Sequence, residues 1–280
     1  MSISVCWFRK DLRLSDNPAW NSACSEGDVI PVFVLESSML EASSQRKRDV
    51  LFSNLTTLKA ELESLGGYLQ VIEGPAREAL PNLLSQWGST SLHFNNDQSP
   101  LAKSRDDTIC ETLDIKVVRH WGNLVHPPGA VVSGTGAVHK VFTPFFKRWI
   151  TVDIPSSLVR PTPRFCSQPK GSNTLPPIVE TPAFPSGSAG AHERLATFLN
   201  RIEGYEEVRD FPSIQGTSLL SSDLHFGTIG PQEILSLTNQ ESDSSTAFIR
   251  QLAWRDWYAH LMDASPEIID SPANPKYNKI

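Results

Sequence analysis

Residues 28–35, DVIPVFVL, form an almost unbroken apolar run. A segment this short and this apolar suits a strand covered on both faces, as in the middle of a parallel sheet. Parallel strands need long crossovers, and the flanking sequence supplies them. Residues 4–8 (SVCWF) are β-prone, and 17–25 provide a crossover helix before Asp28. From Gln45 onward, Leu51, Leu55, Leu58, Leu62 and Leu65 recur at helical spacing until Gly66 and Gly67 close the helix. Further strands are expected at 68–73, 91–95 and 115–119, with helices over 75–86 and 102–113. The alternation predicts an α/β domain over residues 1–150, a doubly wound parallel sheet of Rossmann-like type with right-handed crossovers.

That pattern stops after Trp149. Residues 154–185 are rich in proline, with Ser, Thr and Gly and no sustained periodicity, so 151–190 reads as an interdomain linker lying over the surface. Helical spacing resumes at Ala191, where Leu195, Phe198, Leu199 and Ile202 share a face, and a second strong helix covers 248–262. Residues 191–280 are therefore expected to be part of an all-α domain.

Apolar residues at 39% and charged residues at 20% describe a soluble globular chain. The net charge of −6 is uneven: residues 187–280 carry 7 Lys/Arg against 13 Asp/Glu, while 1–186 balance at 18 each. A duplex-DNA binder normally presents a basic face, so strong DNA binding by this chain alone is not expected. Cys6, Cys24, Cys110 and Cys166 show no metal-ligand spacing and read as free thiols, with no metal site. No apolar run is long enough to span a bilayer, and the start lacks a basic-then-apolar leader. The expected location is cytoplasmic, or the compartment holding the genome.

Residues 204–230, GYEEVRDFPSIQGTSLLSSDLHFGTIG, concentrate the chemistry. Thr217, Ser218, Ser221 and Ser222 place hydroxyls and backbone N–H groups together at the expected start of a helix, a donor set suited to a pyrophosphate. The same residues also suit an ordinary helix cap. Near the amino terminus, Arg9, Asp11, Arg13 and Asp16 read as an ion-pair lattice tying the first strand to its helix, with Asp16 or Asn17 as the cap. No Gly-x-Gly-x-x-Gly turn follows the first strand, which disfavours NAD binding. Phe142, Phe145, Phe146 and Trp149 are expected to close the α/β core against the next domain.

These segments resemble the DNA photolyase and cryptochrome family. WFRKDLRLSDN (7–17) is similar to its entry motif, PPG and GTG precede the family-like KVFTPFFKRW (140–149), TSLLS (217–221) matches its T-S-x-L-S, and QLAWRDWY (251–258) matches its E/Q-L-x-W-R-E/D-F/W-Y helix. The resemblance implies FAD as cofactor, UV-damaged DNA as partner and light-driven repair of pyrimidine dimers, as in a deoxyribodipyrimidine photolyase. It implies Tyr205, Thr217, Ser218, Leu219, Leu220, Ser221 and Arg255 beside the flavin. Arg209, Gln251 and Trp254 fall on the DNA side, with Trp254 and Gln251 at the catalytic centre. Trp254 corresponds to the tryptophan that stacks on a flipped-out dimer. Position 251 is Glu in most cyclobutane-dimer photolyases, whereas Gln is more typical of cryptochromes and (6-4) photolyases.

The α/β domain of this family can hold an antenna chromophore. The acidic residue that grips the pterin in folate-binding members falls at Ala102, so the resemblance does not imply folate, and another antenna or none both stay open. Family motifs that wall the isoalloxazine ring do not occur in this sequence, so the FAD site is expected to be incomplete. The apolar faces of 191–203 and 248–262 are expected to stand open to water. Alternative readings are a cryptochrome-like light sensor or partner-binding protein without repair activity, and an inactive fragment or one half of a split photolyase that needs a second chain.

Overall fold

The apolar run that constrains the sequence becomes strand β2 (Asp28–Leu35), buried along Val29–Leu35. In this computed structural model, which describes residues 2–154, 158–168, 174–239, 242–272 and 275–277, four further strands join it: β1 (Ile3–Phe8), β3 (Gln70–Glu73), β4 (Ser91–Asn95) and β5 (Lys116–His120). All pairings are parallel, in the order β3-β2-β1-β4-β5. The crossovers are α1 (Pro18–Glu26), α3 (Gln45–Ser64), α4 (Ala76–Gln86) and α5 (Pro100–Thr112). Asn17 caps α1 by accepting from the Trp20 amide at 3.2 Å, the role expected of it. A short helix, α2 (Ser37–Glu41), was not foreseen; it buries none of its side chains and so leaves no apolar stripe in the sequence.

Part of the connector lies against the α/β lobe and completes the sheet. β3 pairs only with Val32–Leu35, which leaves the start of β2 unpaired on that side. Phe165 fills the vacancy with a parallel bridge to Val29; the Val29 amide donates to the Arg164 carbonyl at 2.7 Å, and the Cys166 amide to the Val29 carbonyl at 3.2 Å. The Phe165 ring covers Gly67, where a Cβ would collide with it. Residues 155–157 and 169–173 of the expected linker lie outside the described residues.

The second lobe is helical: α6 (Phe142–Trp149), α7 (Gly187–Leu199), α8 (Tyr205–Val208), α9 (Ser221–Phe226), α10 (Pro231–Leu237) and α11 (Asp243–Ala264), followed by 3-10 turns at Pro266–Ile269 and Pro275–Tyr277. Its core corrects the expectation of open apolar faces. Leu195, Phe198 and Ile202 pack with Phe248, Ile249 and Leu252 in one buried cluster, so the faces of α7 and α11 cover each other. The aromatics of α6 belong to this same cluster. They fill the helical core rather than sealing the sheet.

The expected lattice among Arg9, Asp11, Arg13 and Asp16 is also corrected. Arg9 reaches across to α5 and pairs with Asp106 at 2.6 Å. Asp11 accepts from the Arg9 amide at 2.6 Å and from the Asn95 amide group at 2.6 Å. Arg13, 1% exposed, donates to the carbonyls of Asp16 (2.7 Å), Gly122 (2.6 Å) and Gly227 (3.0 Å). Carbonyls of three separate segments accept from its terminal nitrogens. Burial disfavours its charged form, and the charges of Asp16 and Asp11 favour it, which is the part of the expected lattice that holds.

Among the described residues no helix is long and apolar enough to cross a membrane, and no group of three or more His, Cys, Asp or Glu is placed to hold a metal. The four cysteines are free thiols.

The joint between the lobes is sharpest at Gly227. It ends α9 with φ +70, its amide donates to Asp223 at 2.7 Å, and a Cβ there would run into the Lys10 carbonyl. Gly227→Ala therefore meets both a left-handed backbone and a backbone collision, and should cost at least about 2 kcal/mol. Thermal unfolding should show a melting temperature lower by roughly 5 °C or more; an unchanged value would mean that the lobes do not meet at this contact.

Candidate functional site

In an open parallel sheet, the crevice for a ligand lies outside the carboxyl ends of the strands, where the strand order reverses. Here that reversal falls between β1 and β4. The segments leaving these strands carry Lys10 and Asp97, and the lysine ammonium meets the carboxylate at 2.6 Å. Burial works against the Asp97 carboxylate, but the Lys10 charge and the Ser99 donors outweigh it and bring its pKa down to about 2. The ion pair stands where two cavities meet.

The first cavity, about 510 Å³, opens at the carboxyl edge of the sheet. Its floor is apolar, with Trp7, Phe8, Phe33, Leu51 and Phe226, and its rim carries Arg9, Lys10, Lys47, Arg48, Arg77 and Arg105 against Glu36 and Asp97. Ala102 also lines it, so the position expected to lack an acid does face this space.

The second cavity, about 330 Å³, lies between the lobes and is lined by Lys10, Asp97, Gln98, Asn123, Ser221, Leu224, His225 and Arg255. It brings together two sequence-predicted residues, Ser221 and Arg255, from α9 and α11. Arg255 is aimed by donating Nη1 to the Asn123 carbonyl and Nη2 to the Leu224 carbonyl at 3.3 Å. The Asn123 Oδ1 is buried without a hydrogen-bond partner among the described residues. His225 has its pKa lowered to about 4 by desolvation, then by the charges of Lys47 and Lys10. It is therefore a neutral ring at pH 7, and the charge facing an anion comes from Lys10 and Arg255.

The remaining predicted residues are distributed around this centre. Gln251, Trp254, Arg255 and Tyr258 follow one another along α11 at i, i+3, i+4 and i+7, and so share a stripe. The adjoining stripe, with Phe248, Ile249, Leu252 and Ala259, is buried in the core. Gln251 is exposed and donates to the Ala247 carbonyl of its own helix at 3.3 Å. Trp254 is half-buried and stacked on Phe142, with centroids 3.7 Å apart and planes at 9°. One face of its indole is thus occupied from within the protein.

Tyr205 is buried against Phe198 and Phe248, and Arg209 lies 5.8 Å above its ring. Burial raises the Tyr205 pKa, and the Arg209 charge opposes that shift. Arg209 also meets Asp210 at 3.7 Å. Thr217, Ser218, Leu219 and Leu220 form the turn ahead of α9 rather than its first turn: the helix starts at Ser221, and its cap position is Leu220. Ser218 Oγ instead accepts from the Leu220 amide at 3.4 Å, Leu220 is buried, and Leu219 is exposed with φ +57. The hydroxyls of Thr217 and Ser218 therefore do not cap a helix.

Lys10, Asp97, Gln98 and Asn123 line this cavity without being among the sequence-predicted site residues. The signal that finds the first two is topological, since both follow strands that flank the order reversal. Asn123 carries no such signal.

Asp256, next to Arg255, ties α11 to α6 and to the segment after β5. It is 0% exposed and accepts from Trp149 Nε1 at 2.9 Å, from the His126 amide at 2.9 Å and from the Val125 amide at 3.3 Å. Burial pushes its pKa from the ordinary 3.8 up to about 6, against the pull of these donors and of Arg255. A carboxyl raised in the folded state binds its proton more tightly there than in the unfolded chain. Its contribution to stability is present below about pH 4 and is lost as pH rises through about 6. The stability difference between wild type and Asp256→Asn should accordingly move toward the wild type on going from pH 7.5 to pH 5, read from urea midpoints. A difference flat over this range would show that the carboxyl titrates normally.

Comparison with known proteins places this geometry in context. The family model described as DNA photolyase matches residues 4–164. A deoxyribodipyrimidine photo-lyase of a Synechococcus species is 29% identical over 297 residues, covering 95% of this chain and 61% of that protein. An uncharacterized 31.6 kDa protein of another Synechococcus strain, named for the atpI 5′ region, is 31% identical over 281 residues, covering 91% of this chain and 99% of that one. Among solved structures, a bacterial class III photolyase from Agrobacterium tumefaciens matches with a TM-score of 0.85 at 29% identity, over 97% of this chain and 61% of its own. The chain thus spans about three-fifths of the photolyases it matches.

Proposed function

The chain belongs to the DNA photolyase family, and from that premise we propose that it forms the phosphate-side part of an FAD site used for blue-light-driven repair of pyrimidine dimers in DNA. The observation that carries the reading is the interdomain cavity, where Ser221 and Arg255 of the helical lobe face Lys10 of the α/β lobe. A dinucleotide pyrophosphate needs hydroxyl and cationic donors at close quarters. Nearby, the Asp97 carboxylate is paired with Lys10. The donor set fits the phosphate end of the cofactor. When bound, reduced flavin supplies light-driven electron transfer to the dimer. This chain's residues hold and orient: Ser221 and Arg255 on the phosphates, Thr217, Ser218, Leu219 and Leu220 on the turn ahead of α9, Tyr205 from α8 beside the flavin, and Arg209, Gln251 and Trp254 toward DNA.

The larger cavity suits a flat antenna chromophore bearing negative charge, given its aromatic floor and cationic rim. Ala102 on its wall offers no carboxylate for a pterin. Exposed Gln251 favours a second reading, a light sensor of cryptochrome type without repair activity.

Visible absorption of the purified chain, followed by light-dependent loss of dimers from irradiated DNA, separates these readings. Repair with a flavin spectrum supports the enzyme, and a photoactive flavoprotein that repairs no lesion supports the sensor. A chain that gains flavin only with a second polypeptide supports a split protein. Within the first outcome, Ser221→Ala and Arg255→Met should each weaken FAD binding by about tenfold or more, the loss of a hydrogen bond to a charged group, as measured by flavin fluorescence. Unaltered affinity in both variants would remove the cavity from consideration as the phosphate site.

A further inference from the structure

Lys10, Asp97 and His225 line both cavities, so one wall serves two spaces. The cations on the α/β side differ in how firmly they are held. Arg9 and Arg105 are both fixed by Asp106, and Arg48 donates to the carbonyls of Leu40 and Ser43. These guanidiniums are tied to the protein. Lys10 is held differently: among the described residues its ion pair is with Asp97 at 2.6 Å, its side chain is 48% exposed, and its ammonium sits on a flexible stem. Across the wall, the interdomain cavity offers Ser221 and Arg255. A single positive charge, paired with Asp97, thus stands between two sites that both carry cationic groups, and the Asp97 carboxylate lines both of them as well.

We propose that Lys10 is an anion-binding residue common to both cavities and that it couples them in opposition. An anion in either cavity draws the ammonium to its own side, so the other cavity loses a charge partner while the two anions repel across the wall. The weakening is reciprocal, as linkage requires. The inference rests on the flavin reading only for the identity of the anion in the interdomain cavity.

The test titrates inorganic pyrophosphate by calorimetry, at constant ionic strength, into the full chain with and without saturating FAD. With the interdomain cavity filled by FAD, one pyrophosphate site should remain, several-fold weaker than the same site in the FAD-free chain. Arg77→Met, which lines only the α/β cavity, should weaken that remaining site. In Lys10→Met and Lys10→Gln its affinity should no longer depend on FAD. Absence of any pyrophosphate site in the FAD-saturated chain means that both ligands compete for one cavity and overturns the proposal. So does an affinity that FAD leaves unchanged in the wild type, or an undiminished FAD dependence in the Lys10 variants. If FAD does not bind, the flavin reading fails on its own account, and calorimetry with pyrophosphate alone decides the coupling. Two unequal sites that become independent in Lys10→Met support it, and a single site overturns it.

Discussion

The buried guanidinium of Arg13 is the contact on which the arrangement of the two lobes depends. Its donors collect the carbonyls of Asp16, Gly122 and Gly227, which belong to the turn after β1, the segment after β5 and the end of α9. A charge withdrawn from water this completely costs free energy for every donor left unpaired. Its two terminal nitrogens find these acceptors only when all three segments are in place at once, while Nε is buried without a hydrogen-bond partner among the described residues. Leu12 adds a backbone bond to Phe226 at 3.1 Å, and Gln232 reaches back to the Val125 carbonyl at 2.9 Å. The interdomain cavity sits beside this joint, so its shape is set by the same contacts that hold the lobes together.

Charge is partitioned along the same line. The helical segment carries the acidic excess, yet three of its buried or half-buried acids are engaged within the fold. Asp223 pairs with Arg194 at 2.6 Å, Glu233 with His192 at 2.9 Å, and Asp256 is enclosed by donors. The cations of the α/β lobe gather instead around the carboxyl edge of the sheet. A net negative chain can therefore present a locally positive crevice, because binding responds to the nearest charges within a Debye length and not to the total.

The α/β lobe was legible because its periodicities are strong. β2 and β4 match their expected spans residue for residue, and α3 starts at Gln45 as its leucines imply. Those elements bury continuous or regularly spaced apolar residues, which is what a one-dimensional pattern can record. The helical lobe was less legible. α11 is apolar on two stripes, one in the core and one carrying Trp254 and Tyr258, so the sequence alone does not say which is covered. The pairing of α7 with α11 through Phe198 and Phe248, 4.7 Å apart, is a long-range choice that no local spacing encodes. At the site, hydroxyl-rich residues drew attention to Ser221. The partners from the other lobe, Lys10 and Asn123, came into view only once the strand order was known.

Helix α6 precedes the connector in sequence, yet its Phe142, Phe145, Phe146 and Trp149 are interior to the second lobe. During synthesis this aromatic segment leaves the ribosome well before α11, whose Ala253, Leu252 and Asp256 enclose it. For that interval the nascent chain holds a nearly finished sheet with four large apolar side chains lacking their eventual cover. Such a surface invites chaperone capture or misassociation until the last long helix arrives. The order of translation therefore assigns α11 two duties, presenting one stripe to the site and closing the fold with the other.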